Sequence, residues 1–174
     1  MDEAGVEMVV DSVRIHGATG QHVVVLRDVR RERYLPIWIG SWEANAIAMR
    51  LQGVAPERPF THDLFARTLA ELGVRVEQVT IRDLTGDTFR ATIILDGPLG
   101  RHEVDARPSD ALALAVRVDA PILAASEVLA RAAVQPSSEA DETRLSVFRD
   151  FVNSLGGPGG STDPFAERDP DPGF

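Results

Sequence analysis

The chain has 174 residues, 44% of them hydrophobic, and a formal net charge of −9. This length and composition predict one main domain with a sizeable core, and the absence of cysteine excludes disulfide bonds and thiolate metal sites. No run approaches the roughly 20 apolar residues that a membrane span needs, and the acidic first residues lack the features of a signal peptide. We therefore expect a cytoplasmic protein with no membrane partner.

The charged residues are distributed unevenly along the chain. Residues 1–131 contain 15 Arg and 19 acidic residues, a balance of −4, whereas residues 132–174 contain 3 Arg and 8 acidic residues, a balance of −5. Because even the first part is mildly acidic, broad electrostatic capture of nucleic acid is not expected. All 18 basic residues are Arg. This fits either a GC-rich genome or a preference for bidentate phosphate contacts, and it excludes lysine-based catalysis.

The first third of the chain predicts three strands. β-Branched residues are frequent in the three segments, which are residues 6–15, 23–26 and 34–39. A turn at residues 17–20 joins the first two strands into a hairpin. Pro36 places the third strand at a sheet edge or a bulge, because proline has no N–H to donate to a neighbouring strand.

Two helices are predicted next, over residues 41–51 and 61–72. Ser41 and Thr61 are their predicted N-caps, because a hydroxyl at that position accepts a hydrogen bond from a free backbone N–H. In the second helix, apolar side chains at helical spacing are predicted to form the buried face: Leu64, Phe65, Leu69 and Leu72.

The following part of the chain predicts a second group of strands and then further helices. Three strand segments with short turns between them indicate an antiparallel meander: residues 74–83, 88–95 and 101–106. Pro108 suits the first position of a helix through residue 116. A short extended segment at 121–123 and a helix at 126–133 follow. Because the strands occur in runs, the order β-β-β-α-α-β-β-β-α predicts an α+β fold with a mainly antiparallel sheet and packed helices.

We expect three segments along the chain. Residues 1–135 are predicted to form the α+β domain. Residues 136–156 are predicted to form a C-terminal amphipathic helix, whose apolar face consists of Leu145, Phe148, Val152 and Leu155. Residues 157–174 are rich in Gly, Pro and Asp and have little to bury, so we expect a disordered acidic tail.

Two segments share one construction, in which an Arg-Pro pair precedes a hydroxyl residue and an Asp at a predicted helix start. They are residues 57–63 and residues 105–110. Helix N-termini present free N–H groups and a partial positive charge, which suits anions such as phosphate. The predicted phosphate-binding residues are Arg58, Arg107, Thr61 and Ser109, with the arginines supplying a bidentate fork.

Acidic side chains and one histidine accompany these segments. Carboxylate oxygens are the ligands that hard divalent cations prefer, and a histidine can transfer a proton near neutral pH. The predicted catalytic residues are His62, Asp63, Asp110 and Glu43. The predicted metal ligands are Asp105 and Asp110, for Mg²⁺ or Mn²⁺.

A structural interpretation of the same residues stays open. Capping and first-turn acids account for Thr61, Asp63, Ser109, Asp110 and Glu43. Local salt bridges account for the two arginines, Arg58 with Glu57 and Arg107 with Asp105. Trp38 and Trp42 fit core or interface packing, with base stacking as the alternative.

Three motifs, in this order, resemble the bifunctional nuclease domain family. They are Leu35-Pro36-Ile37-Trp38-Ile39-Gly40 followed by Glu43-Ala44; Arg58-Pro59 followed by Thr61-His62-Asp63-Leu64; and Ala106-Arg107-Pro108-Ser109-Asp110-Ala111-Leu112. The resemblance covers about residues 6–133 and is to bacterial members of the actinobacterial type. It implies an α+β domain in a cytosolic protein and nuclease activity on both RNA and DNA, which some plant members show. It implies no particular catalytic set.

Two functions follow from these observations. The first, which the resemblance favours, is a metal-assisted nuclease that hydrolyses phosphodiester bonds in RNA and DNA. The second is a non-catalytic binding or assembly module with an anion site at a helix N-terminus. A homo-oligomer is expected, and in the second function the edge strand at 34–39 and exposed aromatic residues would form its interface. The spatial relation of Arg58, His62, Arg107 and Asp110 discriminates between the two functions.

Overall fold

The computed structural model describes residues 5–17 and 19–135. In these ranges the strands are β1 (Val6–Ile15), β2 (His22–Asp28), β3 (Tyr34–Ile39), β4 (Arg75–Thr85), β5 (Thr88–Gly97), β6 (Gly100–Ala106) and β7 (Ile122–Ala124). The helices are α1 (Ser41–Leu51), α2 (Thr61–Glu71), α3 (Pro108–Val118) and α4 (Ser126–Ala132). The predicted α+β class is confirmed. The predicted helix at 136–156 and the predicted tail at 157–174 lie outside the described residues.

The strands form one sheet in the order β3-β2-β1-β7-β4-β5-β6. Neighbouring strands are antiparallel except β4 and β7, which are parallel. The predicted hairpin of β1 and β2 and the predicted meander of β4, β5 and β6 are therefore confirmed. Pro36 lies on the edge strand β3, as its missing N–H predicted.

Helix α3 lies at the centre of the molecule. Every residue from Ala111 to Ala115 is buried, because α3 packs against α1 and α2 on one side and against β3, β4 and β5 on the other. Since β3 is one edge of the sheet and β5 is next to the other edge, the sheet curls around this helix. The start of α3 is thereby held in a fixed position. No helix in the described ranges is both long enough and apolar enough to cross a membrane.

The predicted buried face of α2 is wrong in most of its residues. Leu69 is buried, but Leu64, Phe65 and Leu72 are 58%, 41% and 64% exposed. Helical spacing identified an apolar stripe correctly, but it did not identify what covers the stripe. Helix α2 packs mainly on α3, so a narrow contact is enough to hold it and the rest of its apolar surface faces outward.

The predicted N-caps of α1 and α2 are also wrong. The N-cap residues are Gly40 and Phe60, so Ser41 and Thr61 are the first helical residues, and neither N-cap residue makes a capping hydrogen bond with a side chain of its own. In α2 the third helical residue takes over part of this role. The carboxylate of Asp63 accepts a hydrogen bond of 2.9 Å from the backbone N–H of Phe60.

Candidate functional site

The three longer helices share one feature at their start. Counting from the first helical residue, the third position is occupied by Glu43 in α1, by Asp63 in α2 and by Asp110 in α3. An acidic side chain at this position is stabilised by the partial positive charge of the helix N-terminus. The three acids nevertheless have different partners, and only two of them meet at one arginine.

Arg107 joins the starts of α1 and α3. It is the N-cap residue of α3, and its Nε donates to Asp110 Oδ2 at 2.6 Å while its Nη2 donates to Asp110 Oδ1 at 3.0 Å. The same Nη2 donates to Glu43 Oε1 at 2.7 Å. Two parallel N–H donors on one carboxylate form the bidentate pairing that fixes orientation as well as distance. The guanidinium is therefore held rigidly, although its side chain is 66% exposed.

His62 brings the start of α2 to the same cluster. Its Nε2 lies 3.2 Å from Asp110 Oδ1, and its side chain is 14% exposed. An ionised carboxylate only accepts hydrogen bonds, so Nε2 is the nitrogen that carries the hydrogen and Nδ1 is left to accept a proton. Glu43, His62 and Asp110, one from each helix, thus converge around Arg107.

The charges of Asp110 and Arg107 are set by their pairing. Burial alone would raise the pKa of Asp110, but hydrogen bonds from Arg107 and then His62 outweigh burial and lower that pKa below 3.8. The pairing with Asp110, and next with Glu43, raises the pKa of Arg107 above its ordinary value. At neutral pH, therefore, Asp110 is an anion that orients its neighbours. His62 is the member of the cluster suited to proton transfer.

An open hollow of about 570 Å³ lies in front of the cluster. Its lining combines the charged cluster with aromatic and small polar side chains: Trp42, Glu43, Asn45, Ala46, Pro59, Phe60, Thr61, His62, Arg107 and Asp110. Trp42 is 85% exposed and Phe60 is 48% exposed. Of the interpretations of Trp42, core packing is therefore wrong, because the second position of α1 points the side chain away from the domain interior. Interface packing and base stacking both stay open.

Arg107 also borders a second hollow, of about 580 Å³, whose lining includes Trp38, Phe89 and Ser109. The guanidinium has five N–H donors, of which Nε and Nη2 make the contacts with Asp110 and Glu43. Within the described residues no hydrogen bond of Nη1 is found. This end of Arg107 retains two N–H donors for an anion.

The structure brings together some of the predicted site residues. Glu43, His62, Arg107 and Asp110 form the cluster, and Thr61 lines the hollow beside them. Ser109 is buried and borders the second hollow.

Asp63 and Asp105 lie outside this cluster. Asp63 accepts a hydrogen bond of 2.6 Å from Arg117, whose side chain is only 6% exposed. Asp105 is exposed on β6 and pairs with Arg82 on β4 at 2.6 Å. The expected local salt bridge between Asp105 and Arg107 is therefore not formed, because Arg107 turns toward α1 instead.

Arg58 differs from Arg107 in position. It is exposed and does not belong to the lining of the first hollow, although the next residue, Pro59, does. Within the described ranges it forms neither a salt bridge nor a side-chain hydrogen bond, so the expected pair with Glu57 is absent. The two arginines of the repeated motif do not share one cluster.

Arg117 is the main residue that the sequence did not reveal. Its guanidinium donates to Asp63 at 2.6 Å, to the carbonyl of Ala113 at 2.8 Å and to the carbonyl of Ala46 at 3.1 Å. It therefore ties α1 and α2 to α3 and holds in place the start of α2, from which His62 extends. The available signal was an arginine within an otherwise apolar helix, which requires a partner when it is buried.

The predicted metal ligands do not fit a divalent cation in this arrangement. Asp105 lies apart with Arg82, and both oxygens of Asp110 accept hydrogen bonds from Arg107. In the part of the chain that the structure describes, no three His, Asp or Glu side chains are grouped to hold a metal ion. Mg²⁺ and Mn²⁺ require several oxygen ligands at short distance.

The chain matches the model of a known protein family and two known proteins. The bifunctional nuclease domain model matches residues 24–137, a range that includes Glu43, His62, Arg107 and Asp110. Two uncharacterized proteins, from two strains of Mycobacterium tuberculosis, are each 43% identical to this chain over 157 residues, which cover 86% of this chain and 94% of the relative. The chain therefore belongs to the bifunctional nuclease domain family.

Proposed function

We propose that this protein is a nuclease that hydrolyses phosphodiester bonds of RNA and DNA. The observation that carries the proposal is the convergence of His62, Asp110 and Glu43 on the exposed Arg107 beside an open hollow. A proton-transfer group, a group that orients it and a cation for the phosphate are the parts that such a reaction needs. Membership of the bifunctional nuclease domain family supports the same reaction class.

Each residue of the cluster has a role in this proposal. The Nη1 group of Arg107 donates to a phosphate oxygen, and Glu43 and Asp110 hold that guanidinium in position. His62 Nδ1 accepts the proton of the attacking water, while Asp110 holds the ring by its Nε2–H. A new P–O bond forms to the water oxygen, the bond from phosphorus to the leaving sugar oxygen breaks, and that oxygen takes a proton from solvent.

Metal assistance by Mg²⁺ or Mn²⁺ remains a prediction, and no step above passes through a metal. A cytoplasmic location likewise belongs to the proposal, and the absence of cysteine suits a reducing compartment.

The proposal is tested by cleavage of single-stranded RNA and DNA by purified protein, in EDTA and with added Mg²⁺ or Mn²⁺. We expect His62→Gln to lower the rate by about 10²- to 10⁴-fold, the usual contribution of general acid–base catalysis. His102→Gln is the matched control, because His102 is exposed on β6 outside the hollow. Equal rates for wild type and His62→Gln would show that the activity comes from another site or a contaminant.

A second candidate function is a non-catalytic homo-oligomeric assembly module. The observation that favours it is the outward apolar surface of α2, formed by Leu64, Phe65 and Leu72, since exposed apolar patches commonly mark interaction surfaces. Light scattering of the wild type and of a Leu64→Glu, Leu72→Glu variant tests it. This candidate predicts an oligomer that the variant disrupts, together with no cleavage under any metal condition.

A further inference from the structure

Trp42 exposes a large apolar side chain to water, which is unfavourable for the folded protein. An indole is one of the largest apolar side chains, and at the second position of α1 it is 85% exposed instead of packed. Phe60, the N-cap residue of α2, is 48% exposed. Both aromatic rings line the same hollow as His62 and Arg107, so a ligand that enters the hollow meets flat apolar surfaces.

The charge of the cluster limits what that ligand is. Glu43, Arg107 and Asp110 together carry a net charge of −1 at neutral pH, and the whole chain carries −9. Duplex nucleic acid presents mainly phosphates, and binding to it depends on several Lys or Arg contacts that release counterions. A single arginine between two carboxylates supplies little of this attraction, so further free energy must come from surfaces other than phosphate.

Unpaired bases provide such surfaces. In a duplex both faces of a base are covered by its neighbours, whereas in a single strand a face is free to stack on an aromatic side chain. Arg107 borders both hollows, with Trp42 and Phe60 in one and Trp38 and Phe89 in the other. A phosphate on Arg107 would therefore lie beside the aromatic residues of both hollows, of which Trp42 is the most exposed, at 85%.

We propose that the hollow binds single-stranded nucleic acid, with an unpaired base stacked on Trp42 and the adjoining phosphate on Arg107. This inference rests on the proposed nuclease function and names the form of its substrate. Stacking on an aromatic side chain tolerates any base and makes no use of the 2′-hydroxyl by which proteins distinguish RNA from DNA, so it suits a site proposed to act on both.

The test measures binding apart from cleavage. The chain has two tryptophans, so a Trp38→Phe variant leaves Trp42 as the single indole. In a His62→Gln background, which removes the proposed general base so that the probes stay intact, the fluorescence of Trp42 is followed while three probes are added: an oligothymidylate, an abasic oligomer with the same number of phosphates, and a hairpin duplex. We expect the oligothymidylate to quench Trp42 and to bind at least about 5-fold more tightly than either other probe, since stacking contributes about this much or more per base.

Variants of Trp42 complete the test. When binding is measured by the fluorescence anisotropy of dye-labelled probes, Trp42→Ala is expected to weaken oligothymidylate binding by about 5- to 100-fold while leaving abasic binding unchanged, and Trp42→Phe is expected to restore most of the affinity. Leu99→Ala is the matched control, because Leu99 is 90% exposed in the turn between β5 and β6, at the end of β6 opposite Arg107. Equal affinity of the wild type for the oligothymidylate and the abasic oligomer overturns the inference.

Different experimental results would contradict this inference and the nuclease proposal. If the protein cleaves nucleic acid and Trp42→Ala cleaves single strands as well as the wild type does, the nuclease function stands and the stacking inference is wrong. If the oligothymidylate quenches Trp42 but no substrate is cleaved, the binding inference stands and the nuclease function is wrong. Oligomer dissociation in Trp42→Ala, with no change in probe binding, would assign Trp42 to a protein interface and overturn the inference.

Discussion

The two Arg-Pro helix starts have nearly the same residues but different uses. In α3 the proline is the first helical residue, so Arg107 is the N-cap and lies next to Asp110. In α2 the helix begins two residues after Pro59, so Arg58 lies outside the helix and extends into solvent. A shift of the helix start by two residues therefore decides whether the arginine can reach the acid of its own helix.

The acids at the third helical position differ in the same way. Asp110 pairs with an exposed arginine at the hollow, whereas Asp63 pairs with Arg117, which is buried among α1, α2 and α3. Replacing one partner of a buried ion pair leaves the other charge uncompensated, whereas an exposed pair contributes little to stability. The pair of Asp63 and Arg117 is therefore expected to stabilise the fold, whereas the pair of Asp110 and Arg107 is the one proposed to take part in the chemistry.

The largest expected effect is on stability at the buried pair. Arg117→Met leaves Asp63 without its counterion and the carbonyl oxygens of Ala113 and Ala46 without their donor. We expect the free energy of unfolding to fall by about 3–5 kcal/mol, measured by urea denaturation. Arg107→Met is the control, and its exposed side chain should change the same quantity by about 1 kcal/mol or less. Similar losses in both variants would remove the distinction between the two pairs.

The next largest effect is on activity. It is measured by comparing variants of the two arginines of the repeated motif. Arg107→Ala removes the donor proposed to hold the phosphate, and we expect the cleavage rate to fall by about 10²- to 10³-fold. Arg58→Ala removes a solvent-exposed charge outside the first hollow, and we expect a loss of about 3-fold or less. Initial rates on a fluorescent single-stranded oligonucleotide measure both. A large loss in Arg58→Ala would mean that both helix starts hold the same substrate.

A smaller effect concerns the dependence of stability on pH. Burial would raise the pKa of Asp63, but hydrogen bonds from Arg117 and from the backbone of Phe60 outweigh it, so the pKa lies below 3.8 in the folded protein. A lowered pKa contributes stability that is fully present above pH 3.8 and is lost as the pH falls below that value.

Asp63→Asn measures this contribution. At neutral pH we expect the variant to be less stable by about 1.5–3 kcal/mol, because a hydrogen bond to a charged group is lost. The difference from wild type should shrink as the pH falls below 3.8. Asp105→Asn is the control, since its pair with Arg82 is exposed. A difference that stays constant from neutral pH to acid would show that the charge of Asp63 does not stabilise the fold.

Much of this fold could be predicted from local patterns. The helix at α3 was predicted from residue 108 to 116 and extends to Val118, because an initial proline and an apolar run are both visible in sequence. Partners distant in sequence were not predictable. Glu43 meets Arg107 across 64 residues, and Asp63 meets Arg117 across 54. Those distances are set by the packing of α1 and α2 on α3, which no spacing rule encodes.

The exposure of aromatic side chains was the other property that sequence could not supply. Trp42 and Trp38 stand on either side of Gly40, and both suit a core as well as a surface. The outcome depends on where α1 leaves the edge strand β3, and there the second helical position faces solvent. Sequence can identify residues that are able to act, but their use is decided by which side of an element the fold covers.

The smallest expected effect on stability lies at Gly40, the residue that separates Trp38 from Trp42. Its φ of −71° and ψ of 156° suit any residue, so backbone strain does not require glycine here. A Cβ at this position would instead overlap Oε2 of Glu43, whose other oxygen holds Arg107. The carboxylate is the free end of a flexible side chain and can move aside. Gly40→Ala should therefore change the free energy of unfolding by less than about 1 kcal/mol.

The same movement of the Glu43 carboxylate should release Arg107 from α1, and we expect cleavage to fall as much as in Glu43→Gln. A Gly40→Ala variant that is as active as the wild type while Glu43→Gln is impaired would show that Glu43 keeps its contact despite the added methyl group.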